Sequence, residues 1–139
     1  MDAGEVERLV KEGKISGHVG YAESVMLVCD ALKFKPDVVK EGQEVVAKDG
    51  VALGLKGYGA AIKGDEEVVR VEFHAYSNAD EYEEVIIEGD NAIKWRSSGT
   101  KGDLGTVSVL INLAEFIVNC KPGLIKMSDI IPFSSVLKH

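Results

Sequence analysis

One apolar stretch, residues 104–119, constrains the fold more than any other part of the chain. Its apolar side chains cover most of a helical circumference, and they belong to Leu104, Val107, Val109, Leu110, Ile111, Leu113, Ala114, Phe116, Ile117 and Val118. A helix of this kind is usually buried on several sides. The polar residues recur at spacings of four, three and four, and so form one narrow stripe: Ser108, Asn112, Glu115 and Asn119. We therefore expect a central helix whose only polar stripe faces water, a ligand or a partner.

The segment that leads into this helix is rich in glycine and suits the binding of an anion. Asp103 is the predicted N-cap, and Pro122-Gly123 ends the helix. Tight bends of the incoming backbone are allowed by Gly99, Gly102 and Gly105. Unpaired N–H groups at the helix start, beside the hydroxyls of Thr100 and Thr106, can receive a carboxylate or a phosphate. The alternative is an ordinary capped core helix whose polar stripe is solvated.

The composition is typical of a folded globular protein. A length of 139 residues suits a single domain, residues 1–139, with one hydrophobic core. The apolar fraction of 45% and the charged fraction of 28% are ordinary for such a domain. The net charge of −7 opposes binding to nucleic acid or to anionic lipid. We expect neither a nucleic-acid partner nor a membrane partner.

Cysteine usage and the N-terminal sequence indicate a reducing compartment. Cys29 and Cys120 lie inside apolar helical patterns, without the spacing of metal ligands, and are predicted to be buried free thiols. No zinc site or other metal site is expected. The N-terminus has no apolar signal core, and no apolar run approaches the roughly 18 residues of a membrane span. The sequence therefore predicts a cytoplasmic protein.

A second glycine-rich segment, KISGHVGYAES, precedes a second apolar helix that is predicted over residues 22–33. Its glycines break any regular pattern and place five polar side chains around one turn: Ser16, His18, Tyr21, Glu23 and Ser24. His18 can act as an acid–base group, because the ordinary pKa of histidine lies near neutrality. The alternative is a structural histidine, and Glu23 equally suits the first turn of a helix.

Between Pro36 and Gly102 the pattern changes to the two-residue alternation of β-strands. The clearest strand is 67–76, whose core face is predicted to carry Val69, Val71, Phe73 and Ala75. Short turns separate the strands, at residues 48–50, 63–65, 77–80 and 88–91. We predict an α+β fold, with one mostly antiparallel sheet of four to five strands and two to three helices packed on one face, including a short helix at residues 4–11.

Nucleotide-binding and hydrolase motifs are absent from the sequence. The glycines of residues 54–59 do not follow a strand into a helix, as a GxGxxG phosphate loop requires. Residues 51–62, which include these glycines, instead suit a strand that admits close backbone approach. There is no Walker sequence, GxSxG elbow or HExxH either.

Two stretches resemble the C-terminal domain of dihydrodipicolinate-reductase-like dehydrogenases, and of the 2,4-diaminopentanoate dehydrogenase group in particular. They are GKISGHVGYAESVMLVCDAL, residues 13–32, and GTKGDLGTVSVLINLAEFIVNCKPGLIKMSDI, residues 99–130. The most specific features are GHVGYAES and the later series of GD-x-x-T, Asn112 and Pro122-Gly123-Leu124. Such enzymes use an N-terminal Rossmann domain for NAD(P) and a C-terminal α+β domain for substrate contacts and subunit association.

The resemblance also implies roles for individual residues. Substrate contacts are implied for Tyr21, Glu23, Ser24, Gly102, Asp103, Gly105, Thr106 and Asn112. Residues 101–106 are similar to the KxDAPSGT segment of dihydrodipicolinate reductases, whose lysine donates a proton, although this segment is two residues shorter and lacks the preceding histidine pair. Proton transfer is accordingly implied for His18 or Lys101, while the alternative for Lys101 is an exposed loop lysine.

From this resemblance we expect a substrate-binding and oligomerisation domain of an NAD(P)-dependent oxidoreductase that acts on an amino-acid-like small molecule. No βαβ unit with a glycine fingerprint is present, so this chain alone is expected to bind no cofactor, and the NAD(P) of a complete enzyme would be held elsewhere, for example by a separate Rossmann-domain chain. We also expect a homo-oligomer. The alternative is a stand-alone module, without catalysis, that binds a small molecule or forms a structural homo-oligomer.

Overall fold

The computed structural model describes residues 1–17 and 19–130, and the chain divides into two compact units. Among the described residues, unit 1 comprises residues 1–17, 19–79 and 125–130, and unit 2 is Asp80–Leu124. The prediction of a single domain over residues 1–139 stays a prediction, because two compact units can belong to one domain. Among the described residues, no helix has the length and apolar character needed to cross a membrane.

Unit 1 is built on a three-stranded antiparallel sheet in the order β1-β2-β3. Its strands are β1 (Val38–Lys48), β2 (Val51–Lys63) and β3 (Glu66–Tyr76). Asp49 and Gly50 join β1 to β2 with φ angles of 53° and 78°. Positive φ at both positions of a two-residue hairpin matches the right-handed twist of the strands. The hairpin predicted at residues 48–50 is confirmed.

Two helices of unit 1, α1 (Ala3–Lys11) and α2 (Tyr21–Ala31), contact this sheet. The core consists of Val25 and Cys29 of α2, packed with Ala61 and Val69 of the sheet. Helix α1 contributes the buried Val6 and begins at Asp2, whose carboxylate accepts the Glu5 N–H. Both helices begin and end within two residues of the predicted bounds.

Helix α2 lies close to β2 because two glycines remove the side chains between them. A Cβ atom at Gly57 would overlap the Tyr21 hydroxyl oxygen and the adjoining ring carbons. A Cβ atom at Gly59 would lie 2.7 Å from the Tyr21 carbonyl oxygen and 2.9 Å from Val25 Cγ2. These distances are well inside van der Waals contact, so the close backbone approach predicted for the strand at residues 51–62 is confirmed at Gly57 and Gly59.

The strand register defines the two faces of this sheet. Gly59 pairs with Glu41 on β1 and with Val71 on β3, and Gly57 pairs with Gln43 and Phe73. Since directly paired residues share a face, all of these side chains lie on the face that α2 covers, which we call the inner face. The inner face therefore carries two polar side chains, Glu41 and Gln43, among apolar ones.

The outer face of the sheet is polar. Arg70 stacks over the Tyr58 ring at 4.5 Å from its centroid and donates to the Glu72 carboxylate at 2.5 Å. His74 lies 3.2 Å from the same carboxylate, and Arg70 holds the pKa of Glu72 below its ordinary value, with a smaller contribution from His74. His74 pairs with Lys56 in the register, which places it on the outer face, away from the apolar residues of β3.

Unit 2 consists of an antiparallel pair, β4 (Glu83–Ile87) and β5 (Ile93–Ser97), and of helix α3 (Gly102–Ile117). After it the chain returns to unit 1 with a short 3₁₀ helix, Met127–Asp129. There the Lys126 ammonium lies 3.0 Å from the Asp30 carboxylate of α2.

Several predictions about the architecture are wrong. The described strands form two sheets, of three and two strands, instead of one. None of the residues of α3 is buried, because a two-stranded hairpin is too small to cover a helix that is apolar on most sides. On the predicted core face of β3, Val69 is buried and Val71 partly buried, whereas Phe73 and Ala75 are exposed. Cys29 is buried as predicted, but Cys120 is only partly buried.

Candidate functional site

A surface pocket of about 400 Å³ lies where the glycine-rich motif enters α2. It is lined by residues 10–11 of α1, residues 19–21 of the motif and residues 41–43 of β1. Most enclosed ligand sites have volumes of about 300–1,000 Å³, so the pocket can admit a small metabolite. The structure thus places a concave surface beside the first of the two motifs that the sequence singled out.

The polar residues of β1 hold the motif at two points. Gln43 Oε1 accepts the Gly17 N–H at 2.8 Å, and Glu41 Oε2 accepts the Ala22 N–H at 3.1 Å. The second bond satisfies an N–H group in the first turn of α2, where a carboxylate also interacts favourably with the helix dipole. His18 lies outside the described residues, and its predicted catalytic role stays a prediction.

Tyr21 lines this pocket, but most of the residue is packed inside unit 1. Only 3% of it is exposed, and its ring lies against Gly57. Burial, and secondly the negative charge of Glu41, raise the pKa of the Tyr21 hydroxyl, which therefore stays protonated at neutral pH. The main contribution of Tyr21 in this structure is to fix α2 on the sheet. Its predicted substrate contact stays a prediction.

Ser24 and Glu23 have local roles in the first turn of α2. The Ser24 hydroxyl donates to the Gly20 carbonyl oxygen at 2.8 Å. Gly20 is the N-cap residue, with φ of 87°, and makes no side-chain cap. Glu23 is exposed, and its charge is favourable near the helix N-terminus. Substrate contact by either side chain stays a prediction.

The second motif lies in unit 2, around the start of α3. Lys101 is the N-cap residue and Asp103 lies in the first turn, so the prediction of Asp103 as the N-cap is wrong. The physical reason is that Gly105 already donates its N–H to the Lys101 carbonyl oxygen at 3.0 Å, which starts the helix two residues earlier. Lys101 is exposed in the loop, and its role in proton transfer stays a prediction.

The remaining residues of the second motif are accessible. Gly102, Thr106 and Asn112 are exposed and Gly105 is partly buried. Gly102 has open space around its Cα, since a Cβ atom added there would have no neighbour within 4 Å. Because the first motif belongs to unit 1 and the second to unit 2, each is described within its own unit, and substrate binding by these residues stays a prediction.

Glu83 on β4 organises the loop before α3, and sequence reasoning did not identify it. Its Oε1 atom accepts the Thr100 N–H at 3.2 Å. Its Oε2 atom accepts the hydroxyls of Thr100 and Ser97, each at 3.2 Å. The amide and hydroxyl of Thr100, which the sequence suggested for an external anion, thus bind a carboxylate of the chain itself. No local signal marks Glu83, because the loop lies 17 residues further along.

We expect Glu83→Ala to speed the hydrogen exchange of the Thr100 amide about fivefold, because an exposed hydrogen bond to a carboxylate contributes about 1 kcal/mol. Exchange measured by NMR at constant pH checks this. Glu81→Ala is the matched control, since Glu81 is exposed and forms no hydrogen bond or ion pair within residues 1–17 and 19–130. Equal exchange rates in the two variants would contradict the role of Glu83.

The described part of the chain contains no group of three or more His, Cys, Asp or Glu side chains that is arranged to hold a metal ion.

Comparison with known proteins places the chain beside one family of dehydrogenase domains. The family description "2,4-diaminopentanoate dehydrogenase C-terminal domain" matches residues 1–138. The 2,4-diaminopentanoate dehydrogenase of Acetoanaerobium sticklandii is 29% identical over 145 residues, and the alignment covers 91% of this chain. The same alignment covers 41% of that relative, so this chain spans less than half the length of the curated relative it matches.

Proposed function

The chain belongs to the 2,4-diaminopentanoate dehydrogenase C-terminal domain family, and we propose that it binds the substrate and mediates subunit contacts in an NAD(P)-dependent oxidoreductase acting on an amino-acid-like substrate. The observation that carries this proposal is the pocket at the start of α2, since it is framed by the motif that resembles the dehydrogenases. The relative's name supports a diamino acid as the substrate class.

We assign the cofactor to another domain or chain. Gly54, Gly57 and Gly59 lie inside strand β2, and the space above Gly57 and Gly59 is filled by α2. A dinucleotide site instead needs a glycine turn between a strand and a helix, with the helix N-terminus facing the pyrophosphate. The glycines of β2 do not fit such a site. In the proposed enzyme, this chain binds and orients the amine-bearing substrate, while the hydride acceptor is held elsewhere.

The proposed subunit contact uses the apolar surface of unit 2. Leu110 and Ile111 of α3 are 61% and 59% exposed, and Ile86 and Trp95 of the hairpin are 55% and 52% exposed. Large exposed apolar patches on globular proteins usually mark interaction surfaces, and most homo-oligomers close with rotational symmetry. We propose that a second copy of this chain covers this surface.

A chimera tests the catalytic part of the proposal. The matching part of the Acetoanaerobium relative is replaced by this chain, and reduction of NAD or NADP by 2,4-diaminopentanoate is followed at the nicotinamide absorbance. We expect reduction by the chimera and none by this chain alone. A folded chimera that is inactive, beside an active parent enzyme, would favour the non-catalytic binding module.

Sedimentation at micromolar concentration tests the subunit contact. The expected result is a species heavier than the 15.0 kDa chain that dissociates on dilution or after Leu110→Glu. A single species at the mass of one chain, unchanged on dilution, would reject self-association.

A further inference from the structure

We propose that Lys11 and Glu41 make the pocket at the start of α2 selective for a zwitterionic ligand, with Glu41 binding a protonated amine and Lys11 binding a carboxylate. The inference rests on the proposed function, because it names the groups that would recognise an amino-acid-like substrate. It concerns residues outside both sequence motifs, and it divides the recognition of the ligand between β1 and α1.

The two charges line the same pocket, and neither is neutralised by an ion pair within the described residues. Lys11 and Glu41 both contribute to its wall. Within residues 1–17 and 19–130, neither forms an ion pair with the other or with a third residue, although ten such pairs form in this part of the chain. Opposite charges that share a concavity without neutralising each other suit a ligand that carries both charges.

Glu41 has acceptor capacity left for an ammonium group. Its Oε2 atom accepts the Ala22 N–H, and Oε1 accepts no hydrogen bond within the described residues. An ionised carboxylate offers about four lone-pair directions, so the bond to α2 occupies one of them. The same bond holds the carboxylate in the wall of the pocket, and little conformational freedom would then be lost on binding.

The remaining wall determines which zwitterions fit. Val10 and Val19 are apolar, and the amide oxygen of Gln43 is already bonded to Gly17. Among the side chains that line the pocket, Lys11 and Glu41 carry the charges, so the ionic recognition falls to them, with apolar contacts along the ligand chain. A dicarboxylate would place a negative charge beside Glu41, and a diamine without a carboxylate would place a positive charge beside Lys11. Both are disfavoured by like-charge repulsion.

The test measures binding of three probes to the full chain by ¹H–¹⁵N NMR titration. The first probe, 2,4-diaminobutanoate, carries both amines and a carboxylate. The second, 1,3-diaminopropane, is the same molecule without the carboxylate. The third, butanoate, is the same molecule without the amines. We expect 2,4-diaminobutanoate to shift the amides of Gly20, Ala22 and Gly42 and to bind at least tenfold more tightly than either counterpart. If about 10 mM 2,4-diaminobutanoate shifts none of these amides, its dissociation constant lies above the millimolar range, and the proposal is overturned.

A charge-removing variant tests whether the Glu41 carboxylate binds the amine of the ligand. Glu41→Gln keeps an oxygen that can accept the Ala22 N–H but removes the negative charge, and we expect at least fivefold weaker binding of 2,4-diaminobutanoate. Glu44→Gln is the matched control, because Glu44 lies on the outer face of the same strand, paired with Lys56. Equal affinities of these two variants would overturn the role of Glu41.

Lys11→Gln provides a second line of evidence, because Lys11 is exposed and its substitution leaves the core intact. We expect it to weaken 2,4-diaminobutanoate at least fivefold while leaving 1,3-diaminopropane unaffected or tighter. Lys40→Gln, on the outer face of β1, is its control. An effect of Lys11→Gln equal to that of Lys40→Gln would remove Lys11 from the proposal.

The outcomes separate this inference from the proposed function. An active chimera whose KM for the diamino acid is unchanged by Glu41→Gln overturns the inference and leaves the dehydrogenase role intact. If the full chain binds 2,4-diaminobutanoate as described while the folded chimera is inactive, the result supports the proposed pocket and rejects the dehydrogenase role.

Discussion

Gly59→Ala is expected to lower the free energy of unfolding of unit 1 by about 1–2 kcal/mol. The added Cβ would lie 2.7 Å from the carbonyl oxygen and 2.9 Å from the carbonyl carbon of Tyr21, which are backbone atoms that no change of rotamer can move. Helix α2 would have to shift away from the sheet and lose part of its packing, and such overpacking costs about 1–3 kcal/mol. Alanine restricts the unfolded chain and recovers about 0.4–1 kcal/mol.

Urea denaturation followed by circular dichroism measures this loss. Gly89→Ala is the control, because no atom lies within 4 Å of its Cβ position and its φ angle is not in the left-handed region. We expect the control to stay within about 0.5 kcal/mol of the original protein. A Gly59→Ala midpoint that matches the control would contradict the close packing of α2 on β2.

A double-mutant cycle locates the contact at the neighbouring glycine. The Cβ of Gly57→Ala would meet the far end of the Tyr21 ring, so Tyr21→Ala makes room for it. We expect Gly57→Ala to destabilise the original protein by more than about 1 kcal/mol and the Tyr21→Ala background by much less. Additive effects would mean that the ring does not rest on Gly57.

The second large effect is expected from a charge in the core. Val25 is 0% exposed and packs against Cys29, Ala61 and Val69. Burying an ionised carboxylate without a partner costs several kcal/mol, which is a large part of the roughly 5–15 kcal/mol that stabilises an ordinary domain. We therefore expect Val25→Asp to unfold unit 1 at neutral pH, seen as loss of the β-sheet signal in circular dichroism.

Val28→Asp is the control that separates the effect of burying a charge from the effect of the substitution on helix propensity. It makes the same substitution on the same helix, at a residue that is 38% exposed, so the change in intrinsic helix propensity is identical. We expect a loss of less than about 1 kcal/mol at this position. Equal melting temperatures for the two variants would show that Val25 is not the centre of the core.

Local signals in the sequence predicted the individual elements well. The helices over residues 4–11, 22–33 and 104–119 and the strand over residues 67–76 were predicted from periodicity, and each is present within about two residues. The turn at Asp49-Gly50 follows from the tolerance of these residues for positive φ. Such features depend on neighbours a few positions away, and a single sequence contains that information.

Pairing between distant segments was harder to predict. Alternation of apolar residues indicates a strand but not its partner, which is why two sheets were predicted as one. The apolar circumference of α3 predicts burial within the chain, whereas the structure leaves it exposed. An exposed apolar surface is usually buried in a contact, but the sequence does not indicate whether the same chain or a partner buries it.

The polar residues of the candidate site were missed for a similar reason. Gln43 lies 26 residues from Gly17, and Glu41 lies 19 residues from Ala22. One signal was available: Glu41 and Gln43 occupy alternate positions of a strand, between the apolar Val39 and Val45 of the same face. Two polar residues that interrupt an apolar face suggest a polar contact there, such as a helix start or a ligand.

The path of the chain through the two units has a consequence for how this protein can vary. Unit 1 is discontinuous, because the chain leaves it after Ala79 and rejoins it at Ile125, beside the Lys126–Asp30 ion pair. For unit 1, residues 80–124 act as one long closed loop. The entropy of closing a loop grows only with the logarithm of its length, so each doubling costs about 0.6 kcal/mol. Insertions and deletions in this segment are therefore expected to change the free energy of folding of unit 1 very little.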